Sequence, residues 1–417
     1  MTRTSDLVHR LARGLLYLLL FVIPFSTAAI ELLFPLLFLV WLAGWGFRRS
    51  TDFSIWRSGP TQNLLLALLI YLAICTFSVS FSSFPRLSLR GLVLKTMEFI
   101  LFFIIVSDIS SYPGVTSRAL KSLFVAAWVI GIYALIQHWA ILHQRGTPID
   151  PIRGWPLRYS RMVGPYRNPN DLATFLMVTL LLVIPQIFKK PTISSGVLWL
   201  LTFLLSGCLI LSQSRGAFLG FWVGLLFLLI LYTKQRRIWI TAVAVFFMTA
   251  GLFLLTRSRP LQAITFTDPS SVERRFMLNT ACQMIRSRPV FGVGLHTFMA
   301  NYTTYSADPN QGPAYAHNCF LQIMAETGLI GLVSFLIFLV LLFFFCLRAL
   351  KTSDEQLHSA KLWLSGLLAA LVAFLVQSAF DTNFYALRQV TLFWVLAGLG
   401  IGLSALLLKN SSSLHGT

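Results

Sequence analysis

GLLYLLLFVIPFSTAAIELLFPLLFLVWLAGWG, residues 14–46, is 33 residues of almost wholly apolar sequence, interrupted by Glu31 and by Pro24 and Pro35. As one helix it would be about 50 Å long, against a hydrocarbon core of ~30 Å. Arginines flank it on both sides: Arg3, Arg10 and Arg13 before, Arg48, Arg49 and Arg57 after. Basic residues beside a span mark the cytoplasmic side, so both flanks belong inside and the block crosses an even number of times. It therefore splits into a hairpin near Ser26–Glu31. The same reading carried outward places spans near 62–81, 92–108, 119–142, 171–188, 195–213, 216–232, 238–256, 326–347, 362–380 and 390–408, twelve in all, with both termini in the cytoplasm. The expected fold is an all-α polytopic membrane protein, residues 1–417 forming a single integral membrane domain.

Composition agrees. Of 417 residues, 56% are hydrophobic and 11% are charged, where soluble domains carry about 25% charge. The mean hydropathy is +0.75. No soluble core could bury this much Leu, Phe, Val and Ile, which excludes a secreted enzyme, a cytosolic enzyme and a DNA-binding domain. The basic start MTRTSDLVHRLARG leads into the first apolar run without a small-residue cleavage site, so it reads as a retained span and not as a signal peptide. Cys75, Cys208, Cys282, Cys319 and Cys346 form no C-x-x-C and are odd in number, as expected of core thiols.

The net charge of +19 divides unevenly across this topology. KK at 189–190, KQRR at 234–237 and RALK at 348–351 fall inside. Two long polar stretches fall outside, residues 143–170 and 257–318. Connections of this length are usually functional. The inside holds ten Arg and seven Lys; the outside holds fifteen basic residues, all Arg. Lys95 remains, at helical spacing from Glu98, and is expected to pair with it. The balance is +12 inside and +7 outside. Arginine grips phosphate through a planar fork that lysine cannot copy. An all-arginine exterior therefore points either to a phosphorylated ligand or to lipid head groups.

Four exterior features could carry chemistry. The first loop holds Arg145, Arg153, Arg158, Arg161 and Arg167 and ends in Asn168-Pro169-Asn170-Asp171, where Asn170 or Asp171 would cap the next helix. Five cations in one loop repel one another without an anion. Ser-Gln-Ser-Arg-Gly, at 212–216, interrupts an apolar run; Arg215 either marks a hairpin end or is functional, as arginines near the bilayer are by default. In the long loop, Ser270-Ser271-Val272-Glu273 forms a capping box. It opens an amphipathic helix whose apolar face is Phe276, Met277, Ala281, Met284 and Ile285, stopped by Pro289. Arg274 and Arg275 stand near its start and oppose its dipole, so an anion should compensate them. Gly292-Val-Gly294 makes a close turn. Lastly, His317-Asn318 stands where a helix begins, and Gly328 with Gly331 lets the chain bend. His317 is either a structural hydrogen-bonder or a neutral base. His143 and His296 are exterior too. No metal-ligand spacing, outward D-x-D motif or P-loop occurs.

At these residues the chain resembles the O-antigen ligase and O-antigen polymerase superfamily of bacterial membrane glycosyltransferases. His317-Asn318, nine residues, then Gly328-Leu-Ile-Gly331 matches that family's H-N-x9-G-x-x-G pattern. RPVFGVGLHTF is similar to its turn in the long loop, and SRGAFLG to its outward arginine motif. SVERRFMLNTACQMIRSRP looks like its long-loop helix, with Asn279 where an aromatic is usual. The likeness covers mostly residues 160–335. It implies transfer of a glycan from undecaprenyl pyrophosphate to a sugar hydroxyl of lipid A-core at the periplasmic face of the bacterial inner membrane. No metal or other cofactor is required, and the anomeric configuration inverts. On this implication Arg215 and Arg275 bind the pyrophosphate with Arg161 assisting, and Arg274, Arg288, Arg167 and Asn318 contact substrate. His317 accepts the acceptor's proton. The partners are then the lipid-linked donor, lipid A-core and membrane lipids, with no nucleic acid. An O-antigen or exopolysaccharide polymerase, or a protein O-oligosaccharyltransferase, would share this donor chemistry. The short tail after Leu408 favours the ligase. A transporter or flippase would instead place ionisable residues and broken helices at mid-membrane.

Overall fold

The computed structural model describes residues 3–46, 54–57, 59–144, 149–154, 156, 161–187, 193–232, 269–306, 312–352 and 357–414. Among them there are helices and no strands. In chain order these are α1 (Arg3–Val22), α2 (Thr27–Gly46), α3 (Gly59–Ser80), α4 (Pro85–Gly91), α5 (Met97–Ser110), α6 (Val115–His143), α7 (Pro169–Ile187), α8 (Ile193–Ser212) and α9 (Arg215–Leu231). Then follow α10 (Pro269–Ser287), α11 (Phe298–Tyr305), α12 (Cys319–Leu350), α13 (His358–Ser378) and α14 (Leu387–Leu414). Helices stand at eleven of the twelve expected span positions; the twelfth, 238–256, lies outside the described residues, as do Arg145, Arg158 and the basic clusters at 189–190 and 234–237. Among the described residues, eight helices are long and apolar enough to cross a membrane on length and composition alone.

The apolar block breaks at Ile23–Ser26, slightly before the expected point. Ser26 accepts the Ala29 N–H at 3.2 Å and so starts α2. α4 runs into α5 through a wide π-helical stretch, Leu92–Thr96. That widened turn displaces the i, i+3 register, and the expected Lys95–Glu98 pair is not formed: Lys95 is exposed while Glu98 Oε1 is buried without a hydrogen-bond partner. The five thiols are free, four of them buried.

α7 and α14 occupy the centre of the bundle and are buried along most of their length. α13 packs between α7 and α9, α14 lies along α5, and α12 lies along α3. Gly220 and Gly224 let α9 approach the carbonyls of Ala373 and Ala369 so closely that a Cβ would stand 2.6 and 2.8 Å from them. Close backbone approach replaces the hydrophobic drive that is absent between helices in lipid. The outer helices keep large apolar side chains exposed, including Leu32, Leu66, Leu200, Phe203 and Val340, as lipid-facing surface requires.

The bundle has two distinct ends. One gathers the turn at 23–26, the turn at 81–84, residues 149–154 and 161–168, the turn at 213–214, α10 and α11, and the connection 379–386. The other gathers the chain start, the turn at 111–114 and the end of α2, where His9 meets Tyr112 and Trp41 donates to Asp108 at 2.6 Å.

Candidate active site

The first end is organised around the start of α12. Asn318 is its cap, accepting the Leu321 N–H at 3.0 Å. His317 just before it has φ 50°, a left-handed conformation uncommon for a side-chain-bearing residue. In this position its Nδ1 faces Asp381 Oδ1 at 3.4 Å, with the His317 side chain 25% exposed and that of Asp381 6%. One side of the ring is thus backed by a shut-in carboxylate while part of it stays open. The Cys319 thiol donates to the Asp381 carbonyl at 3.1 Å, and the Thr382 N–H donates to Asp381 Oδ1 at 2.9 Å. Burial alone would push the Asp381 carboxyl up. The hydrogen bond from His317, the charges of His317 and Arg274, and the Thr382 N–H outweigh it and hold the group below its usual value.

One arginine reaches the same connection, and two more belong to or hold the hairpin end that packs on it. Arg274, on α10, donates through Nη1 to the Phe380 carbonyl at 3.3 Å. Arg215 opens α9, and its neighbour Gly216 lies against Phe380, where a Cβ would stand 3.3 Å from that ring's Cβ. Arg161 donates through Nη1 to the carbonyl of Gln213 at 3.4 Å, on the hairpin end that carries Arg215. The other sequence candidates are placed differently. Arg275 is exposed, about 100° further round α10 than Arg274. Arg288 is exposed and donates to the Phe81 carbonyl, tying the end of α10 to the end of α3. Arg167 is exposed at the foot of α7. The structure therefore brings His317, Asn318, Arg274, Arg215 and Arg161 to one neighbourhood and leaves Arg275, Arg288 and Arg167 at its margins.

Arg161 depends on how the first loop is held. Asp150 accepts from the Tyr133 hydroxyl at 2.6 Å, from Gln137 Nε2 at 2.8 Å and from the N–H groups of Ile152 and Arg153. Gln137 Oε1 in turn accepts from Val163 and Gly164. Arg153 is spent on the loop itself, donating to the Pro165 carbonyl at 2.8 Å. The helix that follows is capped by Asn168, not by Asn170 or Asp171: Asn168 Oδ1 accepts the Asn170 N–H at 2.9 Å, with Pro169 as the first helical residue. Proline there needs no N–H and presets φ, which moves the cap two residues earlier.

α10 caps this end through Met277, Ala281 and Met284, which pack with Val293, Phe298, Tyr302, Ala316 and Ala325. Phe276 is exposed and not part of the buried face. The side chains of Ser270 to Glu273, the expected capping box, lie outside the described residues. The turn after α10 fits into a break in α12. Gly328 has φ 72° inside that helix, and a Cβ there would collide with the carbonyl of Val290; one on Gly292 would collide with that of Glu326. Main-chain bonds close the joint, Val293 N–H to Ala325 O at 2.9 Å and Leu329 N–H to Pro289 O at 2.8 Å. Deeper in, His296 has φ 56°, with Nε2 3.1 Å from Thr96 Oγ1. Burial, with the nearby charge of Lys95, depresses its imidazole to about 3. Asp381 escaped the sequence reading because it lies in a short connection between the last two spans. The available signal was an acid immediately beyond an apolar helix, where unpaired charge is costly.

The arrangement supplies a carboxylate-backed imidazole, open on one side, beside a group of guanidinium ions. Such a site can take a proton from a hydroxyl while stabilising a departing anion. Residues 200–336 match the family described as O-antigen ligase. The teichuronic acid biosynthesis protein TuaE of Bacillus subtilis is 24% identical over 354 residues, spanning 79% of this chain and 70% of that protein. A candidate polysaccharide ligase of Rickettsia conorii is 28% identical over 142 residues, 30% of this chain and 34% of that protein. One chain of a solved peptidoglycan synthase complex aligns at a TM-score of 0.44 and 16% identity, over 83% of this chain and 97% of that one. The matched segment contains Arg215, Arg274 and His317 and ends in α12 beyond its break, so residues 200–336 of this multi-pass membrane protein match the O-antigen ligase family.

Proposed function

We propose that the protein is an O-antigen ligase. It would transfer a polysaccharide from undecaprenyl pyrophosphate to a sugar hydroxyl of lipid A-core, at the periplasmic face of the inner membrane. The observation that carries this reading is the His317–Asp381 pair on a connection held by Arg274, with the hairpin end that opens with Arg215 packed on the same connection. Asp381 holds the imidazole with its Nδ1 proton directed at the carboxylate, which leaves Nε2 to accept the acceptor hydroxyl's proton. The hydroxyl oxygen attacks the anomeric carbon, the bond to pyrophosphate breaks, and the sugar centre inverts. Charge gathering on the leaving pyrophosphate is stabilised by Arg215 and Arg274, with Arg161 behind the hairpin end. In this geometry Arg274 takes the place first assigned to Arg275. The donor brings its own activation, so the transfer is proposed to need no metal.

The length of the match to TuaE favours a second reading, in which the acceptor is a glycan hydroxyl and the enzyme polymerises. Deleting the gene in its host separates the two. Ligase loss leaves bare lipid A-core while long lipid-linked polymer accumulates; polymerase loss leaves at most one repeat on the core. Transfer in detergent with purified protein should survive EDTA. Loss of turnover on chelation, with restoration by a divalent cation, would sink the metal-independent mechanism.

A further inference from the structure

The chemistry above leaves a second carboxylate unused. Glu326 lies on α12 about two turns after the helix start and is 1% exposed. Its Oε2 accepts the His296 N–H at 3.0 Å and the Tyr385 hydroxyl at 3.0 Å. Its Oε1 accepts the Phe298 N–H at 3.2 Å and Gln322 Nε2 at 3.5 Å. These donors come from three segments: the turn leading into α11, α12 itself, and the connection that carries Asp381. That connection is therefore gripped at both ends by α12. Cys319 holds the Asp381 carbonyl, and Glu326 holds Tyr385 four residues later, across a 3-10 turn closed by the Tyr385 N–H to Thr382 O bond of 2.8 Å.

We propose that Glu326 and Tyr385 are positioning residues for the His317–Asp381 pair, a role that rests on the glycosyl-transfer reading of that pair. Neither touches the reacting atoms. Through the Tyr385 hydroxyl, the Glu326 carboxylate fixes the depth of the 381–385 turn relative to the start of α12, and hence the distance from Asp381 to His317. All four bonds to Glu326 come from donors, so only a group that accepts on both atoms satisfies the site. Glutamine has the same shape but would turn an NH2 toward an N–H or O–H. The buried mismatch would be relieved by moving one of the three segments.

The test is steady-state kinetics of purified protein with an undecaprenyl pyrophosphate-linked glycan donor. Tyr385→Phe deletes a single hydroxyl and is the variant expected to keep the fold. Its kcat should fall about tenfold, with donor KM within about twofold of wild type. If the effect passes through Asp381, adding Tyr385→Phe to Asp381→Asn should cost nothing further. Glu326→Gln should behave like Tyr385→Phe or worse. Wild-type kcat in a folded Tyr385→Phe protein, a change confined to KM, or losses that multiply in the double variant would each overturn the positioning role. His317→Ala separates this from the underlying reading. If that variant turns over normally, the transfer mechanism fails; if it is inactive while Tyr385→Phe is unimpaired, only the positioning inference falls.

Discussion

Asp381 and His296 are each one titratable side chain in a buried polar setting, and both lose stability toward acid, over different pH ranges. The folded value of Asp381 is lowered, so the stability it contributes is present above the ordinary carboxylate range and is lost only as pH falls through that lowered value. The Asp381 carboxylate therefore stays charged throughout the range above ordinary carboxylate values. Replacing it by Asn keeps the shape and removes the charge that orients the imidazole; kcat should fall by about a hundredfold or more, read by the same transfer assay. His296 is also lowered, to about 3, but its favoured form is the neutral one. Between roughly 6.5 and 3 the unfolded chain binds the extra proton, so stability declines as pH drops, by about 1.4 kcal/mol per unit from this group. Asparagine tolerates the left-handed backbone at 296. His296→Asn should flatten the fall in melting temperature between pH 7.5 and 5, even if it costs stability at neutral pH through the lost Thr96 contact. Parallel melting curves for the two proteins across that range would contradict the assignment.

At the scale of elements, the break in α12 decides the site, because it receives the 289–294 turn and holds α10 against the bundle. Gly328→Ala combines a positive φ with a collision against the Val290 carbonyl, and should cost about 2–4 kcal/mol. Gly207→Ala in α8 meets nothing within 4 Å and should be neutral or gain up to about 1 kcal/mol. Thermal unfolding of both variants in one detergent makes the comparison; equal midpoints would refute the joint. Glycines at 328 and 331 were legible as a bend, and so were the spans, since hydropathy and helical period are local properties of the chain. Pairing between distant segments is not local. His317 and Asp381 are separated by 64 positions, and nothing in the sequence sets their connections side by side. The choice between Arg274 and Arg275 depended on the rotation of α10. Including Phe276 in the apolar face widened that face, whereas Met277, Ala281 and Met284 alone put Arg274 on the docked side. A one-residue step round a helix is about 100° in space.

Over the whole molecule, the exclusive use of arginine in the expected exterior coincides with one end of the bundle. Arg153, Arg161, Arg215, Arg274, Arg288 and Arg388 all bond main chain or pack around the site connections there or belong to its hairpin end. Among the described lysines, Lys121, Lys351, Lys361 and Lys409 belong to helix ends of the opposite face, and Lys95, next to the Thr96 that contacts His296, lies at the site end. Both lysine and arginine record insertion, while arginine is the better ligand for phosphate, so the arginine-rich end is the one suited to a phosphorylated ligand. If the positive-inside rule holds for this chain, the His317 end faces away from the cytoplasm. Two exposed turns report on it: Ser83, beside the Phe81 carbonyl that Arg288 holds, and Pro113, in the α5–α6 turn beside Tyr112. Four of the native thiols are buried and Cys282 is partly so, which makes a Cys282→Ser background quiet. In that background, a membrane-impermeant maleimide applied to spheroplasts should label Ser83→Cys at once and Pro113→Cys only after the membrane is opened. The reverse pattern would put the arginine-rich end in the cytoplasm. A lipid-linked donor displayed outside could not then be its substrate, and the proposed ligase reaction would fail on topology before any catalytic residue was tested.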